Sequence, residues 1–511
     1  MLFNSHLFVF AFLPFTLAGF VGLRRISGQP GALTWLLLMS LVFYGWWNPR
    51  YLPLILGSIA FNYTSGLGLG KFRNRWVLAA GICANIGALV WFKYAGLLVE
   101  TANTLAGSDY HLQTIILPLA VSFFTFQQIS YLVDIYRGEA PERDLLAYAV
   151  FVAFFPQLIA GPIVKNSEMV PQFRRVTLGN FNHEYFAIGL ALFLCGLFEK
   201  VVLADGVAVY ASPVFEAAEQ GLPISFFESW GGLLAYTFQI YFDFSGYSTM
   251  AIGLGQMFGV KLPVNFDTPY QARSIIDFWR RWHMTLSRFL KCYVYIPLGG
   301  NRKGRARQYL SLMATLVLGG IWHGAGWNFA LWGGVHGLFL VANVVWRRWR
   351  REHRVRFPIT KFEDFGGWAL TFTLVVLARV FFRTDSLSAA GSLLRGAFGQ
   401  NGFVLDERLA GLMGWLEPVV QFEGTHAGYF NLYGVPWLVV LGLICVLAPS
   451  PVELFGRFRP GLEIGTEFFS RQRRFAVDWQ PSVAWAIAVV VVGVVAVVHM
   501  ARVSEFIYYQ F

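Results

Sequence analysis

Hydrophobic positions along this chain come as long unbroken runs divided by short polar breaks, not as the amphipathic stripes of a soluble core. Such runs fall near 7–23, 31–47, 52–69, 76–98, 115–133, 185–204, 230–250, 309–323, 327–345, 366–382, 435–449 and 484–500. About 20 apolar residues in a helix cross the hydrocarbon layer of a bilayer. The pattern therefore predicts an all-α polytopic membrane protein with about 11–12 transmembrane helices. Several runs are shorter than about 18 residues and read as half-helices. The run 145–164 holds Pro156 and Pro162 and reads as re-entrant. The opening MLFNSHLFVFAFLPFTLAGF lacks a basic leader and a small-x-small cleavage signal, so it reads as a retained first span. With no internal repeat or long linker, 1–511 reads as one integral membrane domain.

Composition strengthens this picture. Only 14% of the 511 residues are charged and 56% are hydrophobic, whereas a soluble domain carries about 25% charged residues. Aromatics at 17%, including 50 Phe and 18 Trp, suit lipid contact and interfacial belts.

The net charge of +11 sits in short clusters between runs: Arg24 and Arg25; Lys71, Arg73 and Arg75; Arg137 and Arg143; Lys165, Arg174 and Arg175; then 302–307, 347–351 and 471–474. Placed on the cytoplasmic side by the positive-inside bias, they put the N-terminus and the 383–433 loop outside. No groove-reading motif accompanies the bases, so nucleic acid is excluded as a partner. Cys83, Cys195, Cys292 and Cys445 form no CxxC pair, and neither a disulfide framework nor a metal site is indicated. The stretch 251–308, rich in Arg and Trp, is too polar to face lipid and is expected to pack inside the protein or line a cavity.

Three strings carry candidate chemistry. Trp279-Arg280-Arg281-Trp282-His283, read as helix, stacks Trp279 on His283 at i,i+4 with Arg280 on the same face. An imidazole among indoles with cations nearby stays neutral, the form a general base needs; an interfacial Trp/Arg anchor is the plainer reading. Ile321-Trp322-His323-Gly324 lies in an apolar stretch that continues through Trp327, Asn328, Trp332 and His336. Ionisable groups at membrane depth are functional-site hypotheses by default, and Gly324 permits close backbone approach. The other reading for His323, and the first for His336, is a hydrogen bond between helices. The third string, Tyr241 to Ser248, holds Asp243, a carboxylate that must pair, protonate or face a cavity. It either orients a histidine or substrate hydroxyl or serves an interhelical network. Asn301-Arg302-Lys303-Gly304-Arg305 follows Gly299-Gly300 and could cradle phosphates, although positive-inside topology also explains it. Asp134 and Arg137, at i,i+3, read as a structural ion pair.

Taken in order, these strings resemble the bacterial branch of the membrane-bound O-acyltransferase family, which includes an alginate O-acetyltransferase membrane subunit. They are Phe43-Tyr44-Gly45-Trp46-Trp47; Leu117-Pro118 with Ser122-Phe123; Ile129-Ser130-Tyr131 leading to Asp134-Ile135-Tyr136-Arg137-Gly138; Ala160-Gly161-Pro162; Tyr241 to Ser248; Phe278 to His283; Tyr295 to Arg302; and Trp322-His323-Gly324. They span about 1–385, while 386–511 adds C-terminal helices that match only in hydropathy. The resemblance implies a bowl of tilted helices with a central tunnel, an essential histidine at His323 and a second functional histidine at His283. Asp243, Asn328, Trp322, Trp279 and Tyr241 are expected in support. Arg280, Arg281 and Arg302 are candidates for the phosphates of acetyl-CoA, the implied donor, with no bound cofactor or metal.

The same resemblance implies a multi-pass protein of the bacterial inner membrane. An SGNH-type, esterase-like periplasmic transferase would pass the acetyl group to an exported polysaccharide, alginate- or cellulose-like. Two positions depart from the pattern: Leu290-Lys291-Cys292-Tyr293 where Arg-Asp-Tyr is usual, and Thr249 where Asp often stands. Both bear on a polar contact at the mouth of the site. Within the enzyme class the resemblance also admits D-alanyl transfer to teichoic acid, with the donor on a carrier protein. Many spans with buried polar groups equally fit a transporter of polysaccharide or lipid, against which stand the lack of an inverted repeat and of an ATP motif.

Overall fold

The computed structural model describes residues 1–113, 115–175, 178–353, 360–423, 432–463, 478–501 and 507. The first two apolar runs form a hairpin. Helix α1 (Leu13–Gly45) breaks at Gly28, whose φ of 69° and ψ of −162° suit glycine alone. Its arms double back, so the Trp35 indole donates to Thr16 O at 2.9 Å and the Phe12 and Phe43 rings lie 5.7 Å apart.

Helices α2 (Leu52–Phe72) and α3 (Arg75–Leu89) follow, α3 capped by Asn74, whose side chain accepts from Trp76 N–H at 2.8 Å. A π-helical turn, Val90–Tyr94, joins α3 to α4 (Ala95–Ala106). Helix α5 (Val121–Tyr136) begins later than the run at 115 predicts. Pro118 disfavours helix before it, and Ala120 sits in the left-handed region at φ 61°. The 145–164 run breaks at Phe154 into α6 (Leu145–Ala153) and α7 (Phe155–Leu158). Every residue from 147 to 164 is buried, so this run threads the protein interior. Then come α8 (Asn166–Phe173), α9 (His183–Phe198), a second π-turn at Glu199–Ala204, and α10 (Asp205–Glu219).

The longest α-helix free of both kink and π-turn is α11 (Phe226–Met257), and protein surrounds nearly all of it. It crosses α9 at backbone contact. A Cβ on Gly246 would lie 2.6 Å from Gly196 O, and one on Gly253 2.5 Å from Gly189 O. Small residues of this kind let helices approach where lipid supplies no hydrophobic drive between them.

After α11 the 251–308 stretch packs inside, as its polarity requires. Its buried strap (Val260, Leu262, Val264 and Phe266) leads to α12 (Ile275–Arg281), α13 (Met284–Leu290) and a π-turn at Lys291–Tyr295. Helices α14 (Arg305–His323), α15 (Trp327–Glu352) and α16 (Thr360–Arg383) complete the part that bears the site. The region 383–433, expected as a loop, instead contains α17 (Leu387–Ala397). Its Ala389, Leu393 and Ala397, at helical spacing, are buried on the side facing the start of α11, where Trp230 donates to Ala397 O at 3.1 Å.

Among the described residues six helices are long and apolar enough to cross a membrane: Phe8–Gly45, Pro49–Phe72, Arg75–Ala106, His183–Glu219, Trp327–Glu352 and Glu363–Arg383. Gly434–Leu447 and Val483–His499 are shorter apolar helices. The chain is an all-α polytopic membrane protein, with one small exception in a parallel pairing of Val404–Asp406 with Gln421–Glu423. The basic cluster at 471–474 lies outside the described residues.

Candidate functional site

The α14–α15 hairpin delivers His323. A Cβ on Gly320 would meet Phe329 O at 2.2 Å, and one on Gly333 would meet Leu316 O at 2.3 Å, so the helices touch through bare backbone. Gly324 lies against the Phe329 ring, which a Cβ would approach to 2.1 Å. This turn holds His323 at the C-terminus of α14, buried at 2% exposure. Two residues that no motif flagged secure that terminus. Lys93 Nζ donates to Trp322 O at 2.5 Å, and the Tyr94 hydroxyl donates to Ile321 O at 2.7 Å. The Val90–Tyr94 π-turn aims both, and a cation suits the negative end of a helix. Around His323 stand Trp322 at 5.0 Å, Trp332 at 5.3 Å and Phe382 at 5.2 Å between ring centroids. His336 packs against the same Trp332, at 4.7 Å.

His283 arrives from another element. Helix α12 stops at Arg281, Trp282 is extended, and His283 takes the left-handed conformation at φ 43° before α13 begins. The expected i,i+4 stacking of Trp279 on His283 therefore does not form. The strap before α12 causes the break, with Asp267 N–H bonding to Arg281 O at 3.0 Å and Met284 N–H to Asn265 O at 2.9 Å. Trp279 turns instead to His336, at 5.3 Å. The His283 and His323 rings end 6.4 Å apart.

Hydrogen bonds assign the tautomer of His283. Ile163 N–H donates to Thr285 Oγ1 at 3.0 Å, which directs the Thr285 hydroxyl proton to Asn265 Oδ1 at 2.8 Å. That same oxygen accepts from Thr285 N–H at 3.3 Å and lies 3.1 Å from His283 Nδ1. An amide oxygen is acceptor only, so Nδ1 carries the ring proton and Nε2 keeps its lone pair. Nε2 has no protein partner among the described residues.

The remaining predicted residues separate into groups. Trp322 belongs to the cage, stacked on Phe126 at 5.1 Å. Tyr241 stands behind it, 6.3 Å from Trp282. Asn328 spends an amide hydrogen on Thr384 O at 2.7 Å, tying α15 to the end of α16. Asp243 lies in a separate buried network, paired with Lys200 at 2.6 Å and accepting from Ile507 N–H at 3.0 Å. Lys200 also holds Asp205 at 2.8 Å.

Thr249 donates to the buried Glu199 at 3.2 Å. Asp134, predicted to pair with Arg137, does so at 3.9 Å and also accepts from the Tyr293 hydroxyl at 2.5 Å. Arg280 and Arg302 are exposed, while Arg281 is engaged by Asp277 at 2.9 Å and Asp267 at 3.6 Å.

The cage is rich in donors. The indole N–H groups of Trp279, Trp322 and Trp332 are buried with no protein partner among the described residues. Buried N–H groups are rarely left this way, and several together suit an acceptor-rich ligand. Arg379 of α16 joins them, 1% exposed, with its guanidinium 4.3 Å from the Trp282 ring. It was missed in the sequence, although a cation inside the 366–382 run is a signal for it, as Lys93 is inside 76–98.

Comparison with known proteins places the chain in a family. Residues 141–381, which hold His283, His323 and Arg379, match the model of MBOAT, the membrane-bound O-acyltransferase family. A peptidoglycan O-acetyltransferase of Helicobacter pylori is 43% identical over 436 residues, 79% of this chain and 81% of that protein. The chain belongs to the membrane-bound O-acyltransferase family. A probable alginate O-acetylase AlgI of Pseudomonas syringae pv. tomato is 35% identical over the whole of both chains. A teichoic acid D-alanyltransferase of Streptococcus thermophilus is 28% identical, over 56% of this chain and 72% of that one. The protein is thus a multi-pass membrane acyltransferase, and the transporter reading falls.

Proposed function

We propose that this acyltransferase carries acetyl from cytosolic acetyl-CoA across the bacterial inner membrane for O-acetylation of an extracytoplasmic polysaccharide. The observation that carries the reading is the pair of buried histidines, His323 and His283, brought within 6.4 Å from separate elements into a donor-rich aromatic cage. In this reading neutral His323 accepts the proton of the acceptor hydroxyl as that oxygen attacks the thioester carbonyl. His283, with its lone pair at Nε2, holds the incoming hydroxyl by accepting its hydrogen bond before that proton turns to His323. It does not donate to an oxyanion, and that work passes to the indoles and cations of the cage. Exposed Arg280 and Arg302 are available to the phosphates of the donor, and Arg281 shapes the loop beside them. The direct acceptor is a periplasmic SGNH-type transferase, which hands the acetyl group to the polymer.

The relatives named for alginate and for peptidoglycan O-acetylation favour acetyl and a polysaccharide. The test uses full-length protein in nanodiscs with radiolabelled acetyl-CoA, supplied with alginate or peptidoglycan fragments and the partner transferase. His323→Ala should lower transfer by about 10²–10⁴-fold, the span of general-base contributions, with folding intact. Transfer within tenfold of the parent would sink the assignment. Transfer only from a D-alanyl carrier-protein thioester would replace the donor.

A further inference from the structure

We propose that Arg379 holds the negative charge that develops on the thioester carbonyl oxygen during transfer, an inference that rests on the acyl-transfer reading above. A guanidinium stays charged at any accessible pH. Burying it without a counter-ion carries a desolvation penalty that a fold rarely accepts without a use for the charge. Arg379 is 1% exposed, and no carboxylate lies within ion-pair distance of it among the described residues. Its Nε and Nη1 have no hydrogen-bond partner in the same set. The Trp282 face at 4.3 Å and the Phe382 face at 5.7 Å offset part of the cost through cation–π contact. Neither ring satisfies an N–H. The Tyr270 hydroxyl donates to Thr237 O at 2.7 Å and accepts from the guanidinium, which leaves Nε and Nη1 as the open donors.

The position of this cation decides what it is for. Trp282, on which it stacks, is the residue before His283. Phe382, its second aromatic neighbour, packs 5.2 Å from the His323 ring. The guanidinium therefore borders the two histidines from the α16 side, while the indole N–H groups of Trp322 and Trp332 border them from α14 and α15. All of these are donors, and the bare Nε2 of His283 is the acceptor among them. A neutral carbonyl that becomes an alkoxide is the group such a wall favours more in the transition state than in the ground state.

In the step itself, the acceptor oxygen bonds to the carbonyl carbon and its proton moves to His323. The C=O π pair moves onto the carbonyl oxygen, against Arg379. Collapse of the alkoxide re-forms the C=O bond and breaks the C–S bond. The departing thiolate takes the proton back from His323, leaving ester and free thiol.

The experiment measures free-thiol release from acetyl-CoA by full-length protein in nanodiscs supplied with the partner transferase, with alginate oligomers as anionic final acceptor and neutral glucan oligomers as the comparison. Arg379→Met is expected to lose about 10²–10³-fold in kcat with either acceptor. KM and the affinity for a non-hydrolysable thioether analogue of acetyl-CoA should stay within about threefold, a split that loss of packing alone would not produce. Arg379→Lys, which keeps the charge, should recover at least tenfold over Met. Should Met fail to fold, Arg379→Gln is measured in its place against the same expectations. Three results overturn the proposal: a folded Met or Gln variant with more than a third of the parent kcat, a Lys variant no better than the neutral one, or a defect confined to KM for alginate. The last would make Arg379 a site for an acceptor carboxylate. A parent protein that releases no thiol from any thioester would instead overturn the acyl-transfer reading.

Discussion

Asn265 sets the protonation pattern of the site without touching a reacting atom, which makes it the sharpest point to perturb. Its Oδ1 receives Thr285 Oγ1 at 2.8 Å, His283 Nδ1 at 3.1 Å and Thr285 N–H at 3.3 Å, and its Nδ2 donates to Ser248 Oγ at 3.3 Å. Asn265→Leu keeps the volume and removes the acceptor. The hydroxyls of Thr285 and Ser248 can re-aim. Thr285 N–H and the His283 ring proton cannot, and each stranded buried donor costs about 1–3 kcal/mol. The expected loss is about 2–4 kcal/mol of stability once some relaxation is allowed. The functional loss is separate. Without the acceptor, the proton of His283 is no longer bound to Nδ1, and the tautomer with Nε2–H cannot receive the acceptor hydroxyl. We expect kcat to fall about 10²-fold, the lower end of what a positioned acid–base group contributes. Asn265→Asp restores an acceptor, and Ser248 can donate to its second oxygen. It should stay within about tenfold of the parent by the same scale. Thiol release from acetyl-CoA and the thermal midpoint, measured on one nanodisc preparation, read both losses. A folded Leu variant within threefold of the parent kcat would refute the tautomer argument.

Two further substitutions probe the scaffold. Gly246→Ala puts a methyl group 2.6 Å from Gly196 O and should cost about 1–3 kcal/mol by forcing α9 from α11. Gly22→Ala, with nothing within 4 Å of its Cβ, is the control; equal thermal midpoints for the two would contradict the close-crossing account. Asp243→Asn breaks a buried ion pair, at about 3 kcal/mol since Lys200 keeps Asp205. It should reduce the yield of folded protein while leaving the kcat of the survivors unchanged. A collapse of kcat at an unchanged midpoint would move Asp243 into the reaction.

The spans were legible because hydrocarbon tolerates little except long apolar helices. Even the hairpin at Gly28 and the break of 145–164 were written in Gly and Pro. His323 was legible for the same reason in reverse, being an imidazole where lipid would reject one. What pattern could not supply was any fact that depends on who meets whom. Lys93 and Trp322 are 229 positions apart, and their bond exists only once α3 lies beside α14. The break after Arg281 comes from a strap folded back over it, so Trp279 to His283 looks helical in isolation. Asn265, an amide in an undistinguished loop, has no local signature at all. Arg379 and Lys93 do leave a trace, each a cation inside an apolar run where the other bases of the chain cluster at the ends of runs.

The π-turn at Val90–Tyr94 gives the long helix Arg75–Ala106 a property that composition does not record. One residue too many for the α-helical register turns everything beyond it by about 100° relative to everything before. The first part of this helix can thus keep Gly81 against Leu132 of α5, while Lys93 and Tyr94 swing to the carbonyls behind His323. The alignment is stored as a count of residues rather than as their identity. A deletion of one residue here would leave a helix equally apolar, equally able to span and better wound, yet out of phase with the centre it steadies. Length, at this point in the chain, sets the support of the candidate site as much as the identity of any side chain does.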